Sequence, residues 1–313
     1  MAVIVAKMRK ERKIRIRKDL VREIIPLEKQ TKCYCLVRDC SENDKGDFWQ
    51  KEPLTYKDGF SIDYIYKYLD IEAFIKTLKK GFLFNQPSAW PDPYEKVFYN
   101  AKYTNIDNRY TPNPLYVCCF TTGEETDAGW KQYVSNSGLG ARCVRIRLNS
   151  NRLISFLNNY AEKQHCNIYI GAVTYEYKER EIDEFYRKGT KMNSFLFTKF
   201  SLNNYLSLLL VKRSAYYTEK ELRIFVVPDN YDRKRRKGKL FIPLGLKWND
   251  IIKEVLLSPD CTNEEVTFIK WLCENNSIHC PVRKSTLKEK QSVIEVSQVE
   301  KDDSFISDIY DFV

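Results

Sequence analysis

The sequence predicts an α+β fold, and three observations carry that prediction. Segments alternating apolar and polar residues, as strands do, share the chain with segments that repeat apolar residues every three or four positions. Their order is mixed, with the strand-like segments clustered late and no internal repeat. The 313 residues are 43% hydrophobic and 14% aromatic, enough for a sizeable core and unlike a disordered chain.

Residues 1–58 read as a basic N-terminal extension, 59–290 as the folded domain and 291–313 as an acidic tail. In the extension, Val3, Ile4 and Val5, then Ile14 and Ile16, are candidate strand positions, and CYCLVRD is a short strand. SENDKGD at 41–47 is a loop. The regular pattern begins near Ile62. YIYKY alternates as a strand, and Asp70 is a helix N-cap ahead of Ile71, Phe74, Ile75 and Leu78. Gly81 ends that helix, GFLFN resumes a strand, and PSAWPDPYEK is a proline-rich turn. LYVCCF is a buried strand. A helix runs from near Asp127 to Gly138, ARCVRIRLN is a strand with a helix after Ser150, and IYIGAVTYE is another strand. Residues 181–212 read as helical, most strongly from Ser201 to Lys212. YYTEKELRIFV, KLFIPLG, IKEVLLSP and CPVRKSTL are late strands, and NEEVTFIKWLCENN is an amphipathic helix.

The net charge of +10 is unevenly spread: residues 291–313 hold six acids against Lys301, a net −5, which leaves +15 on the rest. KMRKERKIRIRK and DRKRRKGK each hold a single acid, Glu11 and Asp232, against eight and six bases, too few to neutralise them, and suit a polyanionic partner, most simply nucleic acid, which makes Arg233, Lys234, Arg235, Arg236 and Lys237 candidate contacts. No apolar run approaches a membrane span, and the N-terminus has its apolar part before its basic part, the reverse of a secretory signal, so a cytosolic, membrane-free protein is expected. The ten cysteines read as buried thiols; Cys273, His279 and Cys280 come nearest to a metal cluster but lack zinc spacing, and no metal is expected.

With two histidines and no P-loop, G-x-G-x-x-G, H-E-x-x-H or G-x-S-x-G motif, chemistry must rest on carboxylates, hydroxyls, lysine or aromatics. Read as a strand, residues 216–226 put Leu222, Ile224 and Val226 on one face and Glu219, Glu221 and Arg223 on the other. The charged face is either a solvated ion-pair ladder or half of an active site. Two carboxylates about 7 Å apart along a strand suit a reaction through an oxocarbenium-like transition state.

Residues roughly 62–288 resemble a bacterial family known mainly as a domain of unknown function. The likeness rests on Ile65–Tyr68, Gly81–Leu83, Pro87, Asp92–Glu95, Cys119–Thr121, Trp130, Tyr133, the Glu219–Arg223 E-x-E-x-R and Val282–Leu287. Pro91 and Thr121 depart from its usual Asn and Ser. That family in turn is similar to ADP-ribosyltransferases in motif order. The resemblance implies two small packed sheets around an NAD cleft with flanking helices. It implies Glu221 on the nicotinamide ribose and Glu219 at the acceptor. Lys67, where His or Arg is usual, would meet the pyrophosphate or a ribose. Thr121 and Thr122 would supply hydroxyls, and Tyr68, Trp130, Tyr133 and Arg223 would complete the NAD site. A toxin or anti-phage role is implied as well, and the −5 tail beside the +15 body suggests that an inhibitory protein or the acidic tail itself would restrain it. The rival readings are a non-catalytic nucleic-acid-binding module, and a metal-dependent nuclease using Asp92, Glu95, Glu219 and Glu221.

Overall fold

The computed structural model describes residues 22–27, 31–38, 54–55, 59–60, 62–100, 115–134, 143–177, 201–229, 240–243 and 247–289. Both basic clusters and the acidic tail lie outside them.

In chain order, strands β1 (Arg22–Pro26), β2 (Cys33–Arg38), β3 (Leu54–Thr55), β4 (Gly59–Phe60) and β5 (Tyr64–Asp70) precede helix α1 (Ile71–Lys80). Strand β6 (Phe82–Phe84), helix α2 (Pro93–Asn100), β7 (Tyr116–Thr121), α3 (Asp127–Val134), β8 (Cys143–Asn149) and α4 (Ser150–Gln164) follow. Then come β9 (Cys166–Ala172), β10 (Thr174–Tyr177), α5 (Leu202–Leu208), β11 (Val211–Arg213) and β12 (Glu221–Pro228). The last are β13 (Leu240–Ile242), α6 (Trp248–Ile251), β14 (Ile252–Leu257), α7 (Asn263–Asn275) and β15 (Val282–Lys284). No helix among the described residues is long and apolar enough to cross a membrane.

The mixed α and β content agrees with the sequence, but the arrangement of sheets differs from the expected pair. One 11-stranded sheet has the order β15-β14-β8-β5-β7-β12-β9-β2-β3-β4, with β1 on β2. It is pinched in the middle: a single described residue pair, Tyr66 with Thr121, joins β5 to β7. Strand β12, buried along all eight residues, runs antiparallel to both β7 and β9. Two short pairs, β10 with β11 and β6 with β13, sit apart from it.

Strand alternation splits the core. On one face Ile65, Phe120, Ile146, Leu222, Ile224 and Val255 meet Phe74 of α1, Leu157 of α4 and Trp248 of α6. On the other face Val117, Tyr169, Phe225 and Val227 meet Tyr205, Leu206 and Leu208 of α5. Tyr68, Cys143 and Leu256 meet Trp130 of α3 on that second face.

The helix-start signals hold where a cap is present. Asp70 accepts from the Ala73 amide at 2.6 Å, and Thr262 and Glu265 form a capping box on α7. Gly81 closes α1 at φ 93°, and a Cβ there would lie 1.8 Å from the Ile242 carbonyl oxygen. Gly81→Ala should therefore destabilise by more than about 1 kcal/mol in urea melts. An unchanged midpoint would mean that β13 yields at no expense.

Four sequence expectations are corrected. PSAWPDPYEK is not a plain turn: after a 3-10 turn at Pro87–Ala89, α2 starts with Pro93 at its first position, and Asp92 accepts from the Tyr94 amide at 2.9 Å. IYIGAVTYE breaks at Val173, whose amide turns to the Glu221 carbonyl at 2.9 Å. The helix expected through Lys212 stops at Leu208, because Val211 pairs in parallel with Thr174. In 216–226 the strand begins only at Glu221; Ser214–Glu219 is a 3-10 helix, and Lys220 turns left-handed at φ 42°.

Candidate active site

The left-handed turn at Lys220 decides the geometry. Glu219 does not share a strand face with Glu221; it ends the preceding 3-10 helix and reaches the same point from outside. Thr121 holds that turn by donating from its hydroxyl to the Glu219 carbonyl at 2.6 Å. Thr122 adds its amide and hydroxyl to the Lys220 carbonyl at 3.0 and 3.2 Å. Both hydroxyls thus brace the turn that presents the carboxylates.

Glu221 and Arg223 lie on the α5 face of β12, one position pair before Phe225. Because β12 has a strand on each side and helices over both faces, both side chains are buried, Arg223 to 1% exposure. A buried charge of this kind must be paired, and the pairing is extensive. Arg223 Nε and Nη2 grip Glu221 at 2.9 and 3.0 Å. Arg223 Nη2 also bridges Glu95 of α2, Nη1 donates to the Leu209 carbonyl, and the guanidinium lies 4.2 Å over the Trp90 ring.

Lys212 is the second hub. Projected by β11, its ammonium stands 2.6 Å from Glu219, 3.1 Å from Glu221 and 3.1 Å from Glu95. Gln132 of α3 donates to the other Glu219 oxygen at 2.9 Å. Beside this cluster Arg213 pairs with Asp92 at 2.9 Å and donates to the Tyr216 hydroxyl at 2.9 Å. The Glu221 amide donates to the Tyr175 hydroxyl at 2.8 Å.

Three carboxylates thus share two cations, and their ionisation diverges. Burial pushes Glu221 upward, but Arg223 and Lys212 outweigh it and hold its carboxyl well below the usual range. Burial raises Glu219 above the ordinary 4.5 of a glutamate, Lys212 opposes that, and the Glu221 charge adds to it. Burial acts to lower Lys212, but Glu221, Glu95 and Glu219 keep it protonated. Glu221 is therefore held as the anion, while its neighbour Glu219 gives up its proton less readily than an ordinary glutamate. Two carboxyl groups pushed apart in this way are what acid–base chemistry at one centre requires.

The other sequence candidates divide. Lys67 shares the sheet face of Ile65, opposite to Glu221; its ammonium donates to the Cys119 carbonyl at 2.7 Å and lies 5.1 Å from the Phe120 ring. The reason is parity: Tyr66 is the residue that pairs with Thr121, so position 67 must point the other way. Tyr68 and Trp130 are packed edge to face at 5.0 Å, both buried, so neither offers a ring face to a nicotinamide. Gly129 lets α3 press this close, since a Cβ there would lie 2.9 Å from the Tyr68 hydroxyl. Tyr133 is on α3; its side chain lies outside the described residues, as do Arg233, Lys234, Arg235, Arg236 and Lys237.

The carboxylates of the nuclease reading do converge: Glu95, Glu219 and Glu221 meet, with Asp92 beside them. At their centre stands the Lys212 ammonium. Among the described residues no group of three or more His, Cys, Asp or Glu side chains is arranged to hold a metal ion. Lys212, Arg213, Trp90 and Gln132 were not legible as site residues. Lys212 closes the apolar run LSLLLV, where a single basic residue reads as a surface cap.

Compared with known proteins, the chain matches no family model and no curated protein. Among solved structures it is similar to DarT of Thermus sp. 2.9 in complex with NAD+, with 8% identity over 72% of this chain and 95% of that chain, at a TM-score of 0.31.

Proposed function

We propose that this chain is an ADP-ribosyltransferase that uses NAD as substrate and transfers ADP-ribose to a macromolecular acceptor, single-stranded DNA or RNA. The observation that carries the reading is the Glu219/Glu221 pair, two carboxylates of opposite ionisation tendency set side by side at the pinch of the sheet. In the reaction the bond between nicotinamide N1 and ribose C1′ breaks, and nicotinamide leaves neutral with the electron pair. The ribosyl cation faces Glu221, which Arg223 and Lys212 keep ionised. Glu219 takes the proton of the acceptor nucleophile as that nucleophile bonds to C1′. The cation contacts sought at Lys67 are assigned instead to Lys212, which meets Glu221, and to Arg213, which pairs with Asp92 beside it. A role as toxin or anti-phage effector, held silent by an inhibitory protein or by the acidic tail, belongs to the same proposal.

The test uses NAD labelled in its adenylate part, with the full chain and either total RNA, single-stranded DNA or cell lysate. Label on a macromolecule with the wild type and none with Glu221→Gln is the expected result, and it identifies the acceptor class. A folded protein that yields neither labelled product nor free nicotinamide with any acceptor overturns the reading.

A further inference from the structure

A second feature lies on the same face of the sheet, two strand spacings from Glu221. Tyr64, Tyr66 and Tyr68 alternate on β5, and Arg147 and Arg145 sit opposite Tyr66 and Tyr68 on β8. The side chains lean along the strands and interleave. The Arg147 guanidinium lies 5.0 Å from the Tyr64 ring, and Arg145 lies 3.7 Å over Tyr66 and 5.7 Å from Tyr68. The result is an alternating file of phenol and guanidinium. Its inner end is closed by Trp130 against Tyr68, and Arg145 is fixed by donating to the Gly123 carbonyl at 2.9 Å. Its outer end is open: Tyr64 is 39% exposed. Within the file, Arg147 Nε and Arg145 Nε are buried and have no hydrogen-bond partner among the described residues. The next strands continue the charge. Arg147 and Arg283 both stand at Glu254, 3.8 and 2.8 Å away, so two arginines on this face share one glutamate there.

We infer that Tyr64 and Arg147 form a binding site for single-stranded nucleic acid, in which a nucleobase stacks on Tyr64 as the next member of the file. An aromatic ring backed by a guanidinium suits any base, because every base has a π face. Arg147 and Arg283 supply positive charge for the adjoining phosphates. A duplex, whose bases are already stacked on each other, has no free base face to offer. The placement also joins this site to the carboxylates. Tyr66 pairs with Thr121 and Thr121 with Glu221, so Glu221 is two strand spacings from β5. With two residues along the strand added, Tyr64 lies about 12 Å from Glu221 between backbones. A strand with one base on Tyr64 can bring a neighbouring nucleotide to the Glu219/Glu221 pair. That last step rests on the transferase reading; binding does not.

The test is fluorescence anisotropy with labelled single-stranded DNA and RNA oligonucleotides and the full chain, without NAD, over a range of salt. Tyr64→Ala should weaken binding roughly 5- to 150-fold, the worth of one base–aromatic stack, with little change in the salt slope. Tyr64→Phe should bind as the wild type. Arg147→Gln should lower the salt slope by about 0.7, the loss of one phosphate neutralised on a single strand. Tyr64 is exposed, so Tyr64→Ala should fold, and its urea midpoint checks this. Wild-type protein that binds no oligonucleotide overturns the inference. So does a Tyr64→Ala protein that binds as the wild type, including the case in which binding is lost only when residues 233–237 are neutralised. Oligonucleotide binding that depends on Tyr64, in a protein that transfers nothing from NAD, upholds this site and rejects the transferase reading.

Discussion

Glu219→Gln should lower transfer from NAD roughly 10²- to 10⁴-fold, the usual loss when a positioned general base is removed. The fold should survive. A glutamate whose folded value is raised favours the folded state below its ordinary 4.5, and that contribution is lost as pH rises through the folded value. Above its folded value Glu219 is thus no source of stability, and the amide keeps the carboxylate's shape, its one oxygen able to accept from Lys212. The wild-type transfer rate should fall on the acid side with a midpoint above 4.5, because the base must be ionised and burial resists that. Lys212→Met should move this acid limb to still higher pH, because the ammonium 2.6 Å away is what favours the ionised form. The measurement is initial rate of label transfer against pH for the three proteins. An acid limb at the ordinary glutamate value, unmoved by Lys212→Met, would remove Glu219 from the role of base.

Arg223→Ala should cost roughly 3–5 kcal/mol of stability, the range seen when one partner of a buried ion pair is deleted. The guanidinium is 1% exposed and serves Glu221, Glu95 and the Leu209 carbonyl together, with Trp90 stacked on it. Without it three carboxylates, Glu95, Glu219 and Glu221, must share the Lys212 ammonium. The deficit should depend on pH with a definite sign. Glu221 is held below its ordinary 4.5, so its contribution is present above that value and is lost as pH falls through the depressed folded value. Urea midpoints should therefore show the wild-type advantage over Arg223→Ala shrinking below pH 4.5. Glu221→Gln combined with Arg223→Met, which removes charge from both partners, should lose less than the two single deficits added together. A single Arg223→Ala variant within about 1 kcal/mol of the wild type would mean that the cluster is solvated, as exposed ion pairs are.

The two carboxylates show how far the sequence carries. Leu222, Ile224 and Val226 form the core face that alternation predicts, because alternation is a local property of a strand. The opposite face offered two readings, a solvated ladder or half of a site. Composition cannot separate these, since E-x-E-x-R looks the same in water and under a helix. Burial separates them, and burial comes from β7 and β9 flanking β12 and from α5 above it. Lys67 failed for a related reason. The sequence places it on a strand, but which face it shares with Glu221 depends on the register of β5 against β7 across about fifty intervening residues. One pair, Tyr66 with Thr121, sets that register and turns Lys67 to the other side.

By itself the sequence determined the mixed class and the caps at Asp70 and Thr262. It also placed most strands and helices and marked Glu219 and Glu221 as the pair to watch. These rest on interactions within a few residues, where periodicity and hydrogen-bonding capacity are written locally. Tertiary structure decided that one pinched sheet replaces two, that Glu219 arrives from a 3-10 turn, and that the cationic centre is Lys212 and Arg223. It also built the tyrosine–arginine file beside them. Each of these needs segments far apart in the chain to meet, and an ion pair or a stack between distant residues has no period to betray it.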